Sequence, residues 1–330
     1  MRACVYHQYG APDAVMSVEE VNLPEVADDA ALVRVHASSV NLDDLQYVKG
    51  EIFIRPGAIH KPKYPVLGSD IAGTVEAVGK NVTGVRPGDQ VMADLTEFGF
   101  GGFAEFAAVP AGALAMKPAV SMEEAACLPT AGVRAVQAVT CRGPVRPGDK
   151  VLINGGGGGL GTFAIQIAKS FGAEVTGVDR TDKLDVMRDA GCDNVIDFTA
   201  GHYSESDARF DLIVDVAAYG SPADLRPILR SERVLTPAGK YVMFLAGGGV
   251  VDRIFTQLVL QSWMRLLGSR RMSICRGTPN GRESVEQITR LVETGTVRPV
   301  IDKVCSLDEV PDALVYVERG SARGKVVVAI

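Results

Sequence analysis

The chain has 330 residues, 47% of them hydrophobic and 22% charged, with a formal net charge of −6. That length exceeds the usual single-domain range, so two domains are expected, and the apolar content excludes a disordered chain. The acidic balance opposes a nucleic-acid partner, because phosphate binding needs concentrated Lys and Arg. Cys4, Cys127, Cys141, Cys192, Cys275 and Cys305 lie far apart, with no C-x-x-C pair. Such spacing fits reduced thiols in a cytosolic protein better than a disulfide framework or a zinc site. The opening MRACVYHQYG lacks an apolar signal core, and the apolar run Ile254–Leu267 is broken by Gln257, Gln261 and Arg265. The expectation is a soluble, cytoplasmic protein with no membrane partner.

The first third reads as short strands and turns. Ala31–Ala37 alternates apolar residues with Arg34 and His36, the period of a half-buried strand. Similar runs follow at Gly73–Val78, Gln90–Ala93 and Phe103–Val109, separated by Gly/Pro turns. VRPGD occurs at Val85–Asp89 and again at Val145–Asp149, each time before an apolar strand, so both copies read as turns that launch strands. From about residue 123 strands alternate with helices. Strands are expected at Lys150–Asn154, Glu174–Asp179, Asn194–Asp197, Asp211–Val216, Lys240–Leu245 and Met272–Cys275. Helices are expected at Leu160–Phe171 and Lys183–Ala190. This rhythm indicates a doubly wound parallel sheet. The end of the chain adds helices near Ser284–Glu293 and Asp308–Arg319 and a strand Lys325–Ile330.

The strongest chemical motif is VLINGGGGGLGTFAIQIAK, residues 151–169, in which Gly156, Gly158 and Gly161 match G-x-G-x-x-G between a strand and a helix. The first glycine permits the tight turn, the second lets backbone approach a pyrophosphate, and the third allows close helix–sheet packing. Gly159 and Leu160 at the helix start would offer unpaired N–H groups to phosphate. Asp179, about 18 residues beyond Gly161, ordinarily accepts ribose hydroxyls and favours NAD. Arg180 and Lys183 offer a bidentate clamp and a point charge for the additional phosphate of NADP. The balance favours NADPH, with NADH kept open by Asp179.

VNLDDLQYVKG, PVLGSDIAGTVEAVG, GGFAEFAAVP, EAACLPTAG, the glycine turn and VRPVIDK…GKVVVAI occur in the order seen in one family. In these segments the chain resembles the zinc-independent, quinone oxidoreductase-like branch of the medium-chain dehydrogenase/reductase superfamily. The resemblance implies an α/β protein with a GroES-like, mostly-β catalytic domain (1–122 and 278–330) and a Rossmann cofactor domain (123–277). It also implies an active-site cleft between them and a homodimer. Positions matching the catalytic zinc ligands of other members hold Asn41, Ser69-Asp70 and about Ala131, and Gln90–Phe106 carries no cysteine for a structural zinc. Asn and Ser are poor zinc ligands and alanine is none, so no metal is expected. Without a Lewis acid, a quinone or enone suits hydride transfer better than a saturated ketone, because the incoming charge spreads over an enolate or aromatic oxygen.

The resemblance also marks candidate side chains. Asn41 and Asp44 match cleft residues. Asn41 offers an amide donor to substrate, or else a turn-former; Asp44 offers a catalytic carboxylate, or else a helix-start acceptor. Gln46 stands where many relatives carry a tyrosine, and can hydrogen-bond a carbonyl without delivering a proton. Tyr64 reads as packing. Thr130 and Gly132 are expected to contact cofactor through backbone, and Arg134 either meets cofactor phosphates or an acidic substrate, or faces outward. Phe244 and Gly247 belong to a loop beyond a strand's carboxyl end, where open sheets bind ligands. Lys325 matches a Gly-Lys pair that approaches the cofactor in relatives. Trp263 lies on an apolar segment read as core or cleft cover. The leading function is NADPH-dependent reduction of a quinone or α,β-unsaturated carbonyl. The alternatives are an NAD-linked alcohol dehydrogenase-like enzyme and a non-catalytic cofactor-binding scaffold.

Overall fold

A computed structural model describes residues 1–50, 61–141, 143–217, 230–245 and 272–330. The chain forms two compact units, one of Met1–Val133, Thr278–Gly295 and Ile301–Ile330, the other of Arg134–Gly277 and Thr296–Val300. The first unit thus reaches beyond residue 122, because helix Met122–Ala126 packs on the strands Ala30–Val40 and Asp70–Val78.

The first unit is built on a seven-stranded sheet whose main path runs Ile301–Ser306, Lys325–Ala329, Ala30–Val40, Asp70–Val78, Gln90–Asp94, Ala115–Met116. Phe106–Pro110 also pairs with Ala30–Val40. Neighbours run antiparallel, except that Ile301–Ser306 lies parallel to Lys325–Ala329. The expected alternation holds along Ala31–Ala37, with Val33 and Val35 buried and Arg34 exposed. It ends at Ser38, beyond which both faces of the strand are covered. Irregular pairing at Val35/Ala37 sets Ser39 opposite Asp70, while the carboxyl-terminal strand sets Val326 opposite Val40. Three segments remote in sequence therefore end at one place. Phe103–Glu105, expected in the strand Phe106–Pro110, lies outside it; Phe103 N–H instead donates to Leu67 O at 2.9 Å.

Both VRPGD copies fold alike. Gly88 and Gly148 take φ +94 and +85, which only glycine adopts readily, and no atom lies within 4 Å of either missing Cβ. In each copy the aspartate closes the turn by accepting the arginine N–H, at 2.9 Å from Arg86 to Asp89 and 2.8 Å from Arg146 to Asp149. Strands start at the next residues, Gln90 and Lys150.

The second unit holds a six-stranded, wholly parallel sheet. Its order is Asn194–Asp197, Glu174–Asp179, Lys150–Asn154, Phe210–Asp215, Leu235–Leu245, Met272–Arg276. Numbered along the chain this is 3-2-1-4-5-6, the Rossmann order, with its switch point between Lys150–Asn154 and Phe210–Asp215. Helix Gly159–Ser170 lays Phe163, Ile167 and Ala168 on the sheet and stops before Gly172, whose φ is +82. The expected helix from Lys183 begins as a 3₁₀ turn, Thr181–Lys183, and becomes α-helical over Leu184–Asp189. Gly247 and the Trp263 segment lie outside the described residues, as does most of Lys49–Lys63. Among the described residues no helix is long and apolar enough to cross a membrane.

Phe163 is fully buried. Phe163→Ala therefore empties a packed site and is expected to cost about 3–5 kcal/mol, read as a lowered denaturation midpoint.

Candidate functional site

The glycine turn follows strand Lys150–Asn154 at the switch point. Gly155 turns the chain with φ +86, and the N–H groups of Gly155 and Gly156 donate to Val178 O at 2.9 and 3.1 Å. Packing explains two of the motif glycines. A Cβ on Gly161 would stand 2.1 Å from Gly155 O, and one on Gly156 would stand 2.7 Å from Met187 Sδ. Gly158 differs, since the nearest atom to its missing Cβ is Gly155 O at 3.7 Å. Open space rather than packing surrounds that backbone. Gly158 caps the helix with no side chain bonded to it, and Thr162 N–H is the first to close on Gly158 O. The amides of Gly159, Leu160 and Gly161 thus have no intrahelical acceptor, and the dipole's positive end coincides with them. This arrangement fits a pyrophosphate.

The Asp179 carboxylate is buried and accepts N–H bonds from Gly157 and Arg180, both at 2.9 Å. It braces the glycine turn. Arg180 makes a bidentate pair with Asp182, at 3.1 and 2.8 Å. Lys183 is buried, and its stem covers Gly157, whose added Cβ would stand 2.6 Å from Lys183 Cβ. The structure thus brings Asp179 and Lys183 to the turn and leaves Arg180 locally paired. Phe244 contributes strand backbone, pairing in register with Cys275.

In the first unit, Asn41, Thr130 and Lys325 converge on a fourth residue, Asp70, and Asp44 is hydrogen-bonded to Asn41 beside them. The Asp70 side chain is fully buried, and its two oxygens divide the work. Oδ1 accepts from Thr130 N–H at 2.8 Å; Oδ2 accepts from Ser39 Oγ at 2.6 Å and Asn41 Nδ2 at 2.8 Å. Lys325 Nζ stands 3.6 Å from Oδ2 and donates to Asn41 Oδ1 at 2.6 Å. Asn41 Nδ2 also reaches Ser69 Oγ at 2.9 Å, so both ends of this amide are committed to protein groups. In this arrangement Asn41 orients its neighbours. Asp44 accepts from Asn41 N–H at 2.9 Å and from Ser69 Oγ and Gly68 N–H, both at 3.2 Å. It too is buried. Burial pushes its carboxyl up to about 8, against the lowering exerted by the Asn41 N–H and Lys325.

Gln46, on helix Leu42–Lys49, is half-buried, and among the described residues its side chain has no hydrogen-bond partner. Beside it Tyr47 meets Phe100 edge-on at 4.5 Å, and Tyr64 closes the cluster at 5.8 Å from Phe100. Phe100 has φ 64, a strained value for a bulky residue. Arg134 is buried, which removes its outward-facing alternative.

Sequence reasoning missed Asp70 as an organising residue, along with Ser39, because neither stands in a spacing motif. The only signal was a polar Ser-Ser-Val-Asn run where strand alternation fails. It also missed Asp215 at the switch point, which is buried and accepts from Asn154 Nδ2 at 3.0 Å, Ala217 N–H at 3.1 Å and the Tyr241 hydroxyl. Among the described residues no group of three or more His, Cys, Asp or Glu side chains could hold a metal ion.

Two outcomes follow. Lys325→Met strips the cation from buried Asp70 and is expected to cost about 3–5 kcal/mol in chemical denaturation. Asp44 is protonated in the folded chain up to about 8 but ionises near 3.8 when unfolded. Its contribution is therefore complete below about 4 and is lost as pH rises to about 8. Unfolding titrations across that window should show the wild type losing ground to Asp44→Asn as pH increases.

Residues 27–119 match the family model of the alcohol dehydrogenase GroES-like domain, and residues 190–328 match that of the zinc-binding dehydrogenase. The chain is 32% identical to 2-methylene-furan-3-one reductase of Solanum lycopersicum, over 99% of this chain and 79% of that protein. It is 30% identical to the chloroplastic NADPH-dependent alkenal/one oxidoreductase of Arabidopsis thaliana, with the same coverage. The solved quinone oxidoreductase from Coxiella burnetii shares the fold, with TM-score 0.83 at 24% identity over 100% of this chain and 99% of that one. The chain is an oxidoreductase of the medium-chain dehydrogenase/reductase superfamily, in its quinone oxidoreductase-like branch.

Proposed function

We propose that the chain is an NADPH-dependent reductase that delivers hydride to a quinone or α,β-unsaturated carbonyl without zinc, as a cytoplasmic homodimer. The observation that carries this reading is the uncapped helix start at Gly158–Gly161, at the switch point of a 3-2-1-4-5-6 parallel sheet. The amides of Gly159–Gly161 receive the pyrophosphate of the dinucleotide. Bound there, the nicotinamide supplies the hydride; the chain supplies position and field.

Support for NADPH comes from Asp179, whose carboxylate is spent on Gly157 and Arg180 N–H groups. Arg180 exchanges Asp182 for the 2′-phosphate, a trade of one bidentate anion for another, and Lys183 adds charge beside the turn. The relative from Arabidopsis thaliana, an NADPH-dependent alkenal/one oxidoreductase by name, supports the same choice. Support for a metal-free reaction comes from the groups present: Asn41 and Asp70 flank the Lys325 ammonium, which already compensates Asp70. A divalent ion beside that ammonium would meet like charge. Gln46 donates its amide to the substrate carbonyl, and the proton for the product comes from water.

Fluorescence titration should show tighter binding of NADPH than NADH, and the reduced nucleotide should be oxidised by quinones and enones but not by saturated ketones. Arg180→Ala should weaken NADPH about tenfold, in keeping with one charge-assisted hydrogen bond, while leaving NADH unchanged. Absence of affinity for both nucleotides, or stoichiometric zinc in active protein, would overturn the reading.

A further inference from the structure

Asn154 and Asp215 end two neighbouring strands at the switch point, where they stand opposite each other in register. The backbone already joins the strands there, as Val216 N–H donates to Asn154 O at 3.0 Å. The buried Asp215 carboxylate adds to that ladder. Its Oδ1 accepts from Asn154 Nδ2 at 3.0 Å and from Ala217 N–H at 3.1 Å, while Oδ2 accepts from the hydroxyl of buried Tyr241. This arrangement fixes which way the Asn154 amide points. A carboxylate that takes these donors is an acceptor, so the NH2 group must face it and the amide oxygen must face away. Asn154 is half-buried, and among the described residues its Oδ1 has no hydrogen-bond partner. The carboxyl end of the first strand of this sheet therefore carries an oriented acceptor.

We propose that Asn154 Oδ1 binds the ribose next to the nicotinamide, accepting a hydrogen bond from one of its hydroxyls, with Asp215 as the residue that positions it. The proposal rests on the dinucleotide reading above and chooses one half of that molecule. With the pyrophosphate at Gly159–Gly161 and the 2′-phosphate at Arg180, the adenosine half lies on the side of strand Glu174–Asp179. The other half then continues past Lys150–Asn154 to that strand's second neighbour, the one that ends in Asp215. An acceptor suits a sugar there, since a hydroxyl donates whereas a phosphate or carbonyl oxygen does not. The place has little slack. A Cβ on Gly155 would stand 3.1 Å from Val216 Cγ2 and 3.2 Å from Ala217 N, so the glycine turn packs directly on the residues after Asp215.

The test uses three ligands: NADPH, 2′,5′-ADP (the adenosine half alone) and an NADPH analogue deoxygenated at the nicotinamide ribose. Asn154→Ala should raise the Kd for NADPH about tenfold, in keeping with one hydrogen bond, and leave that for 2′,5′-ADP within about twofold. Wild type should bind the analogue about tenfold more weakly than NADPH, and Asn154→Ala should bind the two alike. Asp215→Ala should repeat the Asn154→Ala pattern. Asp215→Asn, whose own oxygen can still take the Asn154 NH2 group, should restore wild-type affinity. Equal losses for NADPH and 2′,5′-ADP in the alanine variants would show a merely structural clamp and overturn the proposal. So would unchanged NADPH affinity in Asn154→Ala, or wild type that binds NADPH and the deoxygenated analogue equally. That last comparison needs no variant, and so decides the matter even where a substitution prevents folding. Wild type without affinity for NADPH or NADH would instead remove the functional reading itself, and this assignment with it.

Discussion

Asp70 is a carboxylate with no access to water, and a buried charge persists only when each of its lone pairs is answered. That requirement shapes much of the first unit. Ser39 must lie opposite it on the neighbouring strand, Asn41 must turn its amide inward, and Lys325 must arrive from the far end of the chain. The carboxyl-terminal strand is thus tied to the amino-terminal strand by charge as well as by its ladder, since Val326 pairs with Val40 and Lys325 Nζ also donates to Val40 O at 3.3 Å. Removing any single participant would strand the others.

The second unit uses buried carboxylates in a related way. Asp179 braces the glycine turn through Gly157 N–H, and Asp215 gathers Asn154, Ala217 and Tyr241 at the carboxyl ends of three strands. Both lie at the end of the sheet where open α/β folds receive ligands. Negative charge near a phosphate site is unfavourable unless neutralised by donors, and each of these carboxylates is so neutralised. The amides that remain uncommitted, those at the start of helix Gly159–Ser170, are the ones with a dipole suited to an anion.

Two local conflicts mark positions where foldability gives way to another demand. Phe100 is held at a positive φ by packing on Tyr47 and Tyr64, and Gly158 keeps open space where a side chain would fit. Neither choice strengthens the fold. Strain and unfilled space of this kind concentrate where a protein meets a ligand.

The sequence by itself determined the parallel sheet, the glycine turn and the two VRPGD turns, because each is a local pattern: apolar runs, glycines at fixed offsets, a Pro-Gly pair before an acid. Lys150–Asn154, Glu174–Asp179 and Asn194–Asp197 have the bounds that periodicity and turn residues set. It also singled out Asn41, Asp44 and Lys325, through resemblance, without showing that they touch. Only the tertiary structure decided what those groups do. Asn41 and Lys325 lie 284 residues apart and meet because two strands pair in one register. Asp179 turns inward since a backbone N–H lies within reach, and Asp70 becomes the hub because three strands and a π turn end around it. Hydrogen bonding and desolvation depend on distances in space, and no spacing along the chain encodes them.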